Sequence, residues 1–183
     1  MGASSAPPHG RECALLHSGP RMITVHHLNN SRSQRVLWLL EELGVPYEIQ
    51  HYQRDPKTHL APDALKRVHP LGKSPVITDG DVTVAESGAI LEYLVERYGQ
   101  GRFAPFAGTP EQLRYRYWMH FAEGSAMPPL LLKLVFTEMT RAKLPFFIKP
   151  IVKATSAKVQ GMLVDPNIQR QLDFMEVELS KRP

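Results

Sequence analysis

The sequence predicts an α/β domain of β-α-β, helix, β-β-α order on a four-stranded mixed sheet, followed by an all-α region. Three observations carry this prediction. Residues 22–52 run as a period-two segment, an amphipathic helix and a second period-two segment; Asp79-Gly80 lies between two β-branched runs; and past residue 109 the periodicity is helical, interrupted only by prolines. The 183 residues are 43% hydrophobic and 22% charged, an ordinary globular composition with enough apolar content for a core. The net charge of +4 is mild and no Lys or Arg stripe stands out, which argues against a nucleic-acid partner. The one cysteine, Cys13, excludes an intramolecular disulfide and a Cys-based zinc site, so a reducing cytoplasm is expected. No apolar run approaches the roughly 18 residues of a membrane span.

Residues 1–21 mix small residues, Pro and Gly without periodicity, and read as a disordered extension that includes Cys13. They lack the apolar middle of a signal peptide, and Ala6 breaks the myristoylation pattern. From Met22, Ile23, Val25 and His27 alternate with Thr24 and His26 as a strand. Val36, Leu37, Leu39, Leu40 and Leu43 then mark a helical face that closes at Gly44, and Trp38 within it reads as core. Tyr47 to Tyr52 forms a second strand, and a short helix is expected near Asp63 to Arg67. Asp79-Gly80 turns the hairpin 76–84, a turn expected to need positive φ at both central positions. Ala89, Ile90, Tyr93, Leu94, Val95 and Tyr98 give the last helix of a first domain, 22–99, in the thioredoxin-like order of elements. A linker at 100–108 leads to a helical domain at 109–183, opened by a Thr109-Pro110-Glu111-Gln112 capping box and segmented by Pro128-Pro129, Pro145, Pro150 and Pro166.

Several short motifs carry chemistry, each with a plainer reading beside it. The loop 29–33 presents backbone N–H groups and a helix N-terminus to an anion, with Ser31 as hydroxyl donor; equally, Ser31 or Ser33 is an N-cap. Ser74-Pro75, if cis, exposes an edge for an extended peptide; otherwise Pro75 simply begins a strand. Glu86-Ser87 could take the ammonium and carboxylate of an amino-acid zwitterion, or cap a helix. Tyr115 and Trp118, with Phe121 and Ala122, either wall an apolar cleft or pack as core. The histidines of the first domain lack metal-ligand spacing, so no metal is expected.

Joined together, SRSQRVLWLLEELGVPYE, HPLGKSPVITDG and VAESGAILEYLVERYG resemble, in order and spacing, the soluble glutathione transferases of the serine type, with theta-like, bacterial and fungal members. The resemblance implies a thioredoxin-like domain that binds glutathione, followed by a helical domain. It implies Ser31 as the activating serine, since it lies four residues before Arg35. By the same resemblance the Ser74 backbone pairs with the cysteinyl unit at Pro75, Glu86 and Ser87 hold the γ-glutamyl end, and Lys73 lies near the glycyl carboxylate, with His59 the loop histidine beside it. The implied chemistry is conjugation of the glutathione thiolate to a small apolar electrophile, at a pocket near Tyr115 and Trp118, in a cytoplasmic detoxifying homodimer. The loop 29–33 holds no cysteine, which argues against the thiol transferases that form mixed disulfides. The helical domain is expected to be truncated, since no Ser/Thr-x-x-Asp capping segment follows Asp165. The alternatives are a non-catalytic binding or assembly module of the same shape, or a glutathione-dependent isomerase, peroxidase or dehalogenase.

Overall fold

A computed structural model describes residues 22–181; the extension expected at 1–21, with Cys13, lies outside the described residues. Strand β1 (Ile23–Leu28) buries Ile23, Val25 and Leu28 and occupies an inner position of the sheet. Helix α1 (Gln34–Leu43) buries Val36, Leu40 and Leu43, and Gly44 ends it at φ 68°, the left-handed cap that glycine takes without cost. The chain returns as β2 (Tyr47–Tyr52), parallel to β1, with Ile23 opposite Tyr47 and Leu28 opposite Tyr52. After α2 (Asp63–Val68) and a cis Ser74–Pro75 bond, β3 (Val76–Asp79) runs antiparallel to β1, and β4 (Val82–Ala85) antiparallel to β3. The order β2-β1-β3-β4, one parallel pair and two antiparallel, is the mixed four-stranded sheet that the sequence predicts.

Two local expectations are corrected. Asp79 pairs with Val82, so the central turn residues are Gly80 and Asp81, and of these only Gly80 has positive φ, at 60°. Trp38, expected in the core, is 68% exposed, with its indole N–H donated to Glu42 at 3.1 Å. At about 100° per residue it stands roughly 200° around α1 from Val36, on the face opposite the buried one.

The chain divides into two compact units, Met1–Ser87 and Gly88–Pro183. Helix α3 (Ser87–Tyr98) begins at this division, with Ser87 in the first unit and the rest of the helix in the second. Within the second unit α3 buries Ile90, Leu94 and Val95. Helix α4 (Pro110–Phe121) begins at Thr109, whose hydroxyl accepts from the Gln112 N–H at 3.2 Å; the Gln112 side chain accepts in return from the Gly108 N–H, one residue beyond a standard capping box. Helices α5 (Met127–Arg141), α6 (Lys149–Val159) and α7 (Asp165–Ser180) follow, each with proline in its first turn, where the missing N–H costs nothing. Single π-helical turns join α4 to α5 at Ala122–Ala126 and α6 to α7 at Gln160–Val164. No helix among the described residues is long and apolar enough to cross a membrane.

Candidate functional site

Because β1 and β3 are neighbours in the sheet, the loop that leaves β1 and the residue that precedes Pro75 meet at one end of it. Ser31 Oγ lies 3.1 Å from Ser74 Oγ and 2.9 Å from Ser33 Oγ. Ser74 in turn donates to the His26 carbonyl at 2.8 Å and accepts from the Leu28 N–H at 3.3 Å, so its hydroxyl ties the loop to β1. Ser33 Oγ lies 2.6 Å from His27 Nδ1. Ser33 occupies the N-cap position of α1 but makes no side-chain cap bond, its hydroxyl being turned to Ser31 and His27 instead. The base of the loop is held by Arg54, whose N–H donates to Asn29 Oδ1 at 2.7 Å and whose Nε donates to the Asn29 carbonyl at 3.2 Å.

Lys73, Ser74, Pro75, Glu86 and Ser87 line one recess of the first unit, with Arg32, His69, Leu71 and Ala85. Two of its polar atoms, Ser87 Oγ and His69 Nδ1, are buried without a partner. Buried polar atoms are nearly always paired in folded proteins, so this pair marks a place where a polar ligand would complete the bonding. Glu86 stands at φ 71°, in the left-handed region, a conformation that costs a residue with a Cβ about 1–3 kcal/mol and that concentrates at ligand clamps. The recess thus offers cationic side chains at Arg32 and Lys73, a carboxylate at Glu86 and a hydroxyl at Ser87. Arg32 also lines an adjoining shallow depression with Ser31, Gln34, Arg35 and Trp38, so Ser31 borders the same end of the unit.

His59 is not part of this lining. It is exposed at φ 58° in the loop after β2, where Asp55 accepts from the Lys57 and Thr58 N–H groups and its carboxyl is held below the usual range by those bonds. Tyr115 and Trp118 belong to the second unit. Trp118 joins Tyr117, Phe121 and Phe174 in an aromatic cluster with centroids 5.2–6.1 Å apart. It also borders an open, largely apolar depression with Leu113, Arg114, Tyr117 and Glu178, which Tyr115 does not line. Burial pushes the Tyr115 hydroxyl to a higher pKa, with Glu92 and Glu96 adding to the effect. Sequence reasoning considered His27 and His69 only as metal ligands, which it discounted, and gave Arg32 no role. The signal for His69 was only its place beside Pro70, and that for His27 only its parity along β1.

A family model described as the N-terminal domain of glutathione S-transferase matches residues 20–96. Glutathione S-transferase 3 of Schizosaccharomyces pombe is 39% identical over 159 residues, which cover 87% of this chain and 64% of that protein. Glutathione S-transferase 1 of Saccharomyces cerevisiae is 32% identical over 166 residues, covering 87% and 70%. Among solved structures, a glutathione S-transferase from Actinobacillus pleuropneumoniae has a TM-score of 0.55 at 37% identity, over 74% of this chain and 61% of its own. The glutathione transferase URE2P6 from Phanerochaete chrysosporium, in complex with oxidized glutathione, has a TM-score of 0.64 at 27% identity, over 88% and 69%. The chain thus spans about two thirds of the length of these relatives.

Proposed function

This chain belongs to the glutathione S-transferase family, and we propose that it binds glutathione in the recess of its first unit and activates the thiol through Ser31. The observation that carries the reading is the meeting of Ser31 and Ser74, 3.1 Å apart, beside a recess with two unpartnered buried polar atoms. In this reading the γ-glutamyl ammonium faces Glu86 and its carboxylate takes the Ser87 hydroxyl, which supplies the partner that Ser87 Oγ lacks. The cysteinyl unit pairs with the Ser74 backbone, and Lys73 faces the glycyl carboxylate. The sulfur then lies near Ser31, whose hydroxyl donates to the thiolate.

A hydrogen bond to a charged acceptor is worth about 1.5–3 kcal/mol, which lowers the thiol pKa by about one to two units at about 1.4 kcal/mol per unit. The helix dipole adds about 0.3–1 kcal/mol. The thiol proton passes to solvent and the thiolate's electron pair forms the new S–C bond; either the leaving group departs with its bonding pair, or the π pair of a polarised double bond moves to the far atom, which takes up a proton from solvent. The electrophile is a small apolar molecule, and the active protein is a dimer of this chain in the same reading.

Calorimetric titration with glutathione, together with the ultraviolet absorbance of the bound thiolate, tests the proposal on wild type and Ser31→Ala. Binding is expected in both and thiolate only in wild type. Equal thiolate absorbance in the two proteins moves the role off Ser31, and absence of binding to wild type overturns the reading for this chain.

A further inference from the structure

We propose that His27, acting through Ser33, sets the direction of the Ser31 hydroxyl proton and so positions it for a bound thiolate; the inference rests on the role given to Ser31 above. Counting protons in the cluster fixes the direction. A carbonyl only accepts, so Ser74 spends its single proton on the His26 carbonyl, 2.8 Å away. The 3.1 Å contact between Ser31 and Ser74 must therefore be donated by Ser31. With its own proton spent there, Ser31 accepts across the 2.9 Å contact, and the donor is Ser33. Ser33 is then an acceptor toward His27 at 2.6 Å, which requires a hydrogen on Nδ1. The chain reads His27 Nδ1–H to Ser33, Ser33 to Ser31, Ser31 to Ser74, and Ser74 to the His26 carbonyl.

Two consequences follow for a ligand thiolate. Ser33 cannot receive the Ser31 proton, because its lone pair toward Ser31 is replaced by its own O–H; the opposite histidine tautomer, with a bare Nδ1, would draw the Ser33 proton away and open that wasteful acceptor. Ser31 therefore has a single competing acceptor, Ser74. Ser74 keeps its donation to His26 and its bond from the Leu28 N–H when Ser31 turns to sulfur, so the swing strands no proton. Accepting from Ser33 also polarises the Ser31 O–H, since hydrogen bonds in a chain strengthen one another by about 10–30% per bond. His27 and Ser33 are positioning residues on this account, with no contact to the sulfur.

The experiment is the pH dependence of thiolate absorbance for glutathione bound to the wild-type chain and to Ser33→Ala, His27→Leu and His27→Asn, with S-methylglutathione affinity measured alongside. Ser33→Ala and His27→Leu are expected to raise the pKa of the bound thiol by about half a unit. S-methylglutathione, which has no thiol to ionise, is expected to bind all of them like wild type. The asparagine amide can place an N–H where Nδ1–H stands, so His27→Asn is expected to restore the wild-type value. His27→Leu added to Ser33→Ala is expected to shift it no further, because both break one chain. His27 is only partly buried, so its two variants carry the test if Ser33→Ala, at a fully buried site, fails to fold. A wild-type thiol pKa in Ser33→Ala and His27→Leu, while Ser31→Ala shifts it, overturns the inference and leaves Ser31 standing. A Ser31→Ala protein with an unshifted bound thiol overturns the role of Ser31 itself.

Discussion

Glu86 holds its backbone at φ 71° at the head of α3, where glycine would sit without strain. If that geometry serves to present a carboxylate to a ligand ammonium, stability and binding should separate on substitution. Glu86→Ala keeps the strain and loses the carboxylate, whereas Glu86→Gly loses both; the glycine variant is expected to be more stable than the alanine variant by about 1 kcal/mol in urea unfolding. Both are expected to bind glutathione at least about tenfold more weakly, the loss of a charge-assisted hydrogen bond. His26 offers a second test at the same scale. It is buried in β1, with its ring nitrogens 2.9 Å from Tyr52 Oη and 3.3 Å from Thr78 Oγ1. Burial lowers its pKa, against a smaller opposing effect of Glu48. The folded state therefore keeps His26 neutral where the unfolded chain, with a value near 6.5, takes up a proton. The unfolded state binds more protons below that value, so this contribution to stability is present above pH 6.5 and lost as the pH falls through and below it. The urea midpoint of the first unit is expected to drop on acidification through that window, and His26→Gln to flatten the drop. Most of the residues proposed for the site were legible because each sits at a fixed offset from a strand or helix end: Ser31 after β1, Ser74 before Pro75, Glu86 and Ser87 after the hairpin. Ser33 and His27 were not legible as partners, because strand parity gives the face of a side chain but not how a following loop folds back over it.

Among the elements, the four strands and the helices α1 to α3 were readable from period and turn chemistry, and the exceptions have physical causes. The hairpin turns on Gly80-Asp81 rather than Asp79-Gly80, with Gly80 supplying the positive φ and Asp81 in an ordinary conformation. Trp38 misled because an apolar residue between Leu37 and Leu39 looks like core, yet only the Val36, Leu40 and Leu43 face of α1 is fully buried. The π-helical turns at Ala122–Ala126 and Gln160–Val164 have no distinctive composition, and they allow α4 to run on into α5 and α6 into α7 with no intervening loop. The two helix-ending glycines differ in what they demand. Gly44 needs its positive φ, but a Cβ there meets nothing within 4 Å. At Gly99 a Cβ would lie 2.3 Å from the Val95 carbonyl oxygen and 2.9 Å from that of Arg102, both backbone atoms that cannot give way. The Gly99 N–H also donates to that Val95 carbonyl at 2.9 Å, fixing the approach. Gly44→Ala is accordingly expected to cost about 1–2 kcal/mol from conformation alone. Gly99→Ala is expected to cost more, about 3 kcal/mol, from steric overlap. Denaturant midpoints of the two variants check the ranking, and a smaller effect at Gly99 would show that the end of α3 relaxes around an added methyl group.

Across the molecule, full burial is distributed unevenly between the two units. The first unit places Ile23, Val25, Leu28, Val36, Leu40, Leu65, Val76 and Ile77 at 0–1% exposure, and burying each such side chain contributes about 1.5–3 kcal/mol. In the helices from α4 onward only Pro129, Ser156 and Val164 are buried, while Leu131, Leu134 and Leu179 are more than half exposed. Of the ion pairs there, Lys133 to Asp165 at 2.5 Å has both side chains nearly half exposed and adds about 0–1 kcal/mol. Local opening should therefore be easiest in α4 to α7 and hardest in β1 and β3, and amide hydrogen exchange resolves the two by peptide. The proposed glutathione contacts all fall between Ser31 and Ser87, within the first unit. At about one hundred times its dissociation constant, a ligand that binds only the folded state stabilises it by about 2.7 kcal/mol. Glutathione is thus expected to slow exchange of β1, β3 and α1 amides up to about a hundredfold, while the amides of α4 to α7, which open through local fluctuations, stay near their unliganded rates. Equal slowing in both units would mean that the helices open only together with the sheet, and no slowing in either would remove the first unit as the glutathione site.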